Sequence, residues 1–381
     1  MQSPGRRRIL AGLILSATAT ACSQLGLHPR GANSPRSAQR VRTIVGTGSA
    51  GYEPEGATGA PAASAPVNNP YGIVTGPDGA LYFCEVDTGR IRRLDLRSQR
   101  LTTIAGNGEK AYSGDGGPAL AASFSAPHEI RFDGPGNLYV VERDSHTVRR
   151  IDNRTGIVTT IAGTGAAGYG GDGAAATAAQ LRQPHSIAFD AAGNLLICDI
   201  GNSRVRQVDL RTGIITTLAG TGERAPTPDS APFAGTPLLG PRSLDTDPLG
   251  NAYLVLREGN AVFQLNLTEQ RLQRIAGTGE QGYSGDDGAA INARFNGPKG
   301  IAYAENEHAL YIVDTENHVI RRMSLATGII ETVLGTGERG DGPDGDPLSC
   351  KLNRPHGVFV RGDTVYVTDS ENHRVRVLAS T

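Results

Sequence analysis

Residues 127–165 read PHEIRFDGPGNLYVVERDSHTVRRIDNRTGIVTTIAGTG. Short apolar-alternating stretches (EIRF, LYVV, TVRRI, IVTTIA) are separated by turn-forming groups (DGPGN, ERDSH, DNRTG). Period-two alternation bounded by Gly, Asn and Asp is the signature of strands joined by tight turns. The segment therefore predicts four short antiparallel strands, A to D. Its opening proline recurs at Pro70, Pro127, Pro184, Pro241, Pro298 and Pro355, each 57 residues from the last. After each proline the same strand, turn and strand pattern returns, as in SIAFDAAGNLLICD and GVFVRGDTVYVTD. Six four-stranded units arranged radially make an all-β, six-bladed β-propeller. The sixth unit stops at Thr381, after strand C, and RVRTIVGTG at residues 40–48 matches the D-type strand IVTTIAGTG. The N-terminal strand is thus expected to complete the last blade and remove the free sheet edges.

The totals agree with one large repetitive domain. The chain has 381 residues, 51 Gly, 22 Pro and no Trp. A net charge of −1 leaves no electrostatic footprint for nucleic acid. No serine nucleophile elbow, phosphate-binding loop, CxxC pair or haem CxxCH is present, so covalent hydrolytic chemistry has no visible support.

At the N-terminus, Arg6, Arg7 and Arg8 precede the apolar run ILAGLILSATATA and then Cys22. A basic segment, a short apolar core and small residues before the cut describe a secretory signal over residues 1–22, too short to span a membrane. ATA before Cys22 resembles a bacterial lipoprotein box, in which the cysteine is diacylated. GRRRIL also resembles a twin-arginine export signal. With Ser23 following the cysteine, the resemblance implies an outer-membrane lipoprotein facing the periplasm, held in the membrane only through its lipid anchor. Residues 23–39 read as a flexible tether to a propeller over residues 40–381. Without Cys22, the three cysteines left are odd in number, against a disulfide framework.

GNLYVVERDSHTVRRID, TGIVTTIAGTG, GYSGDGGPA and ENHRVRVL resemble NHL repeats of the long bacterial type over residues 40–381. What recurs in every unit of a repeat protein is mostly scaffold, since every unit solves the same packing problem. The arginine pairs (Arg92 and Arg93, Arg149 and Arg150, Arg321 and Arg322) are therefore read as architectural partners of acids. The acid ending strand B (Glu85, Glu142, Asp199, Asp314, Asp369) is expected to cap the turn after it. Cys84 and Cys198, in blades that are not neighbours, read as buried thiols. The connections from strand D to the next strand A run about twenty residues and lie on the face shared with the B-to-C loops. Their aspartates, Asp115, Asp172 and Asp286, lack the ligand spacing of a calcium loop and read as holding Gly-rich turns.

The residue after each repeat proline is different. It starts the innermost strand at the channel mouth, and in blade order it is Tyr71, His128, His185, Arg242, Lys299, His356. This ring is variable, polar and convergent, which a scaffold does not require. His128, His185 and His356 together offer imidazoles suited to zinc or another divalent metal. A similar arrangement exists in peptidyl-hydroxyglycine amidating lyase, a six-bladed propeller with a zinc held by histidines in Pro-His positions. Blade four departs most from the consensus: Leu256 replaces the strand-B acid, and Arg242 and Arg257 are added. Together with Tyr71 and Lys299, these residues predict a basic seat for a carboxylate, phosphate or acidic sugar. Two functions stay open. One is a monomeric module that binds an envelope protein, peptide or carbohydrate ligand through its loop-rich face. The other is a metal-dependent lyase or hydrolase.

Overall fold

The computed structural model describes residues 39–380. The secretory run, Cys22 and the tether up to residue 38 lie outside them. Among the described residues no helix is long and apolar enough to cross a membrane.

Six antiparallel sheets succeed one another along the chain. Blade two is representative, with strands Pro127–Phe132, Leu138–Glu142, Thr147–Ile151 and Val158–Ala162 in hairpin order. Blades one and five gain a two-residue fifth strand, Ala60–Pro61 and Gly288–Ala289, on their outer edges. Ring closure is as expected: Gln39–Val45 pairs antiparallel with Arg374–Ser380 in blade six. The strand starts one residue earlier than the sequence pattern suggests and ends at Val45 rather than Gly48. Its register breaks between Thr43 and Val45, the site where strand D of blade two breaks between Thr160 and Ala162. The N-terminal strand therefore carries the D-strand bulge as well as its position.

Alternate side chains of a strand point to opposite faces, and here each face meets another blade. Leu195 and Ile197 pack with Tyr139 and Val141 of blade two, whereas Leu196 and Cys198 pack with Leu244 and Leu254 of blade four. The core thus divides into six apolar clusters, one at each blade interface. Cys84, Cys198 and Cys350 are buried and unbridged.

One arginine per blade is sunk into this apolar frame in all blades but the fourth. Arg92, Arg149, Arg206, Arg321 and Arg376 are at most 1% exposed. Each lies among two or three carboxylates, for example Arg206 between Asp199 at 3.5 Å and Asp172 at 2.6 Å. Asp172 comes from a long D-to-A connection, as do Asp115 on Arg149 and Asp286 on Arg321. Asp115 and Asp286 also accept from Thr160 and Thr332 of strand D. These aspartates therefore fasten the long loops to the blades.

The strand-B acid does not cap the next turn through its backbone amides. Glu142, Asp199, Asp314 and Asp369 accept the backbone N–H of Ser125, Arg182, Asn296 and Asn353 at 2.6–2.8 Å. Each of those residues lies two before the repeat proline, so the acid anchors the chain entering strand A. Donors around a buried carboxylate must come from wherever amides lack strand partners, and the entering loop supplies them. Burial nevertheless pushes these acids up, Glu142 to about 7 and Asp199 to about 6.

Candidate functional site

The residue before each repeat proline is held in the left-handed region: Asn69, Ala126, Gln183, Gly240, Gly297 and Arg354 have φ between 44° and 74°. Non-glycine residues resist that conformation, most of all before proline, so something must hold it. At four of the six positions the preceding blade does. His146, His318 and His373 each accept through Nδ1 the backbone N–H of Gln183, Arg354 and Asn69 at 3.1 Å, and Asn260 Oδ1 takes that of Gly297 at 3.0 Å. The histidine of the ENH and DSH loops is thus an inter-blade clamp.

The residue after the proline is re-aimed by a bulge, whether or not that clamp is present. Pro184 pairs with Asp199 and Ser186 with Cys198, leaving His185 as the extra residue of a bulge. His128 and Arg242 are bulged out in the same way. A bulge re-aims one side chain, and Tyr71, His128, His185, Arg242, Lys299 and His356 come together around one cavity of about 400 Å³. Arg257 and the B-to-C-loop Arg143 also line it.

Around this belt the side chains touch in ring order. His185 and His128 meet edge to face at 4.3 Å, and His128 tilts against Tyr71 at 4.6 Å. Tyr71 stacks on His356 at 3.8 Å, and Lys299 Nζ lies 3.1 Å from His356 Nε2. The His185 Nδ1–H donates to the Gln183 carbonyl at 2.7 Å, leaving its Nε2 as an acceptor. Burial holds all three histidines well below the usual imidazole range, and Arg242 adds to this, so they are neutral.

The histidines do not form a metal centre. The Tyr71 ring lies between His128 and His356, so the three imidazoles stack in series instead of converging. Among the described residues no three of His, Cys, Asp or Glu are grouped to hold an ion. The fit to zinc or another divalent metal expected from the Pro-His pattern fails because the ring position between two of the ligands is filled by an aromatic side chain.

Blade four is also different from its sequence reading. The loss of the strand-B acid at Leu256 is matched by Phe263 at the buried-arginine position; both are 2% exposed or less. Acid and base have gone together, so the exchange itself adds no charge. Leu239, two before Pro241, donates its N–H to Thr227 Oγ1 at 3.0 Å instead of to an acid. Arg257 is paired with Glu258 at 2.6 Å, and Arg143 with Asp144 at 2.6 Å. The basic character of this sector rests on Arg242. It is 6% exposed, lines the cavity, and makes no hydrogen bond or ion pair among the described residues. Burial lowers it to about 10.

Two contributors were not singled out from the sequence. Glu316, in the B-to-C loop of blade five, lies 3.1 Å from Lys299 Nζ and accepts from Arg354 Nη2 and Nε at 2.8 and 2.9 Å, while Arg354 Nη1 donates to Glu371 at 2.6 Å. Arg354 occupies the left-handed position before Pro355, where other repeats carry Asn, Ala, Gln or Gly. A charged residue at that place was the available signal.

The NHL repeat model matches residues 352–378, and the teneurin NHL domain model matches residues 165–282. NHL repeat-containing protein 2 of Homo sapiens is 25% identical to the chain over 327 residues, 76% of this chain and 45% of that one. Mouse teneurin-3 is 28% identical over 348 residues, 81% of this chain and 12% of that one. The chain therefore spans less than half the length of the curated relatives it matches. A solved auxiliary nutrient binding protein from Bacteroides thetaiotaomicron superposes with a TM-score of 0.65 at 17% identity, covering 90% of this chain and 76% of that one. At that identity the likeness speaks for the fold alone.

Proposed function

We propose that this NHL propeller is a ligand-binding module whose site is the channel mouth, and that its ligand carries a carboxylate, phosphate or acidic-sugar group. Arg242 carries this reading. A guanidinium buried without an ion pair costs stability in the empty chain, and an anion entering the cavity would offset that cost. The loops that shape the mouth are pinned to the blades, so the site is preformed. A fold shared with a nutrient binding protein suits small-molecule capture, and the ligand is either free or displayed on a peptide, carbohydrate or envelope protein. Binding is favoured over a metal-dependent step because the histidines do not converge.

Thermal unfolding with phosphate, lactate and galacturonate as probes tests this. At about 10 to 100 times its dissociation constant a bound anion should add roughly 1.4–2.7 kcal/mol to the parent. Arg242→Ala should melt higher than the parent without ligand, having lost an unpaired buried charge, and should not respond to any probe. An Arg242→Ala chain that keeps the parent's response would overturn the assignment.

We further propose that the propeller is exported and held at the outer membrane through lipid on Cys22. The observation behind it is the basic and apolar run that ends in ATA before that cysteine. Cys22→Ala should move the protein from the membrane fraction to the soluble fraction, because acyl chains supply the anchoring energy. Unchanged partition would refute the anchor.

A further inference from the structure

We propose that Lys299 is a reactive amine that forms an imine with a 2-oxo acid whose carboxylate is held by Arg242. The inference deepens the anion-site reading and rests on it. Lys299 and Arg242 are neighbours in the ring of channel-mouth residues, both line the same cavity, and both are nearly buried, at 5% and 6% exposure. In a 2-oxo acid the carboxylate and the carbonyl carbon are one bond apart, so two neighbouring side chains suit them.

The surroundings of Nζ favour a neutral amine. It faces His356 Nε2 and Glu316 Oε1, each at 3.1 Å, with Tyr71 stacked behind the imidazole. Glu316 shares its charge with Arg354, which donates to it through two nitrogens and to Glu371 through the third. Arg242 nearby forms no ion pair, and Glu129, a carboxylate that attracts it, is itself bound to Arg131 at 2.6 Å. The local cations therefore outnumber the anions, and a proton leaving Lys299 relieves the excess. Burial first, then Arg242, brings this lysine down to about 7 against the opposing pull of Glu316.

The step is balanced without a further reagent. The neutral amine attacks the keto carbon, forming the C–N bond while the carbonyl π pair moves to oxygen. His356 Nε2, within reach of Nζ, takes one amine proton and returns it to that oxygen. The carbinolamine then loses its hydroxyl with the second amine proton as water, leaving a C=N bond to Lys299.

The chain makes the test unusually clean, because its only lysines are Lys110, Lys299 and Lys351. Lys110 and Lys351 are surface residues, 54% and 44% exposed. The full chain is incubated with pyruvate and sodium cyanoborohydride near neutral pH, and adducts are mapped by peptide mass. Lys299 should be modified about tenfold or more faster than either surface lysine. Arg242→Gln should slow that modification, and Lys299→Arg should abolish it while unfolding like the parent. Modification of Lys299 no faster than Lys110 and Lys351 would overturn the proposal. Lactate, which has the carboxylate but no carbonyl, separates the two levels. If lactate raises the melting temperature through Arg242 while pyruvate leaves Lys299 unmodified, the imine fails and the anion site stands. If neither acid shifts melting and Lys299 is unmodified, both fail.

Discussion

A chain lacking residues 39–48 is expected to lose most of its stability and to aggregate. The closing strand contributes six residue pairs to blade six. Its two fully buried valines serve different interfaces: Val41 packs in the cluster between blades five and six, Val45 in that between blades six and one. Burying each is worth roughly 1.5–3 kcal/mol, so the valines alone supply about 3–6 kcal/mol. That reaches the lower end of the margin of a typical domain, about 5–15 kcal/mol. Loop contacts would be lost as well. Val41 and Gly345 exchange backbone hydrogen bonds at 2.9 Å, and Asp344 accepts from Thr43, so the long loop before blade six would also come loose. Arg374–Ser380 would then be an open edge that pairs with other chains. Urea unfolding and size-exclusion chromatography read both effects. An unfolding midpoint equal to the parent's would show that the ring does not depend on its closure.

The second large effect concerns the buried arginines. Blade four shows that the fold tolerates Leu256 and Phe263 where other blades carry an acid and an arginine. We expect Asp199→Leu alone, or Arg206→Phe alone, to cost about 3–5 kcal/mol, because each leaves a fully buried charge short of a partner. The double variant should cost less, about 1–3 kcal/mol, the remaining loss coming from the Arg182 amide and Asn202 side chain left without Asp199 and from the partly exposed Asp172 left without Arg206. Blade four meets the amide's need with Thr227. A double-mutant cycle from urea unfolding gives the coupling directly. If the single effects simply add, the pair is not an electrostatic unit and blade four's paired exchange has another origin.

How much was legible differs between scaffold and site. The 57-residue spacing of the prolines and the alternation in stretches such as LLICD specified six blades, because strand period and turn chemistry are local properties repeated in every unit. The closing strand was readable from RVRTIVGTG for the same reason. The six ring residues were also readable, since each lies at a fixed offset from a proline. Their chemistry was not. The pattern His128, His185, His356 suggested a metal, and only the placement of Tyr71 between two of those rings removes it. The strand-B acid was recognised as structural, yet its amide partners sit in the entering loop, a contact across many residues that no local pattern encodes.

What the sequence by itself determined is the architecture and the identity of the side chains around the channel. What the tertiary structure alone decided is their charge balance. Arg257 and Arg143 are spent on adjacent acids, Glu316 is shared between Arg354 and Lys299, and Arg242 forms no ion pair among the described residues. Such balances are sums over groups from several blades in a poorly solvated cavity, where each distance and each degree of burial counts.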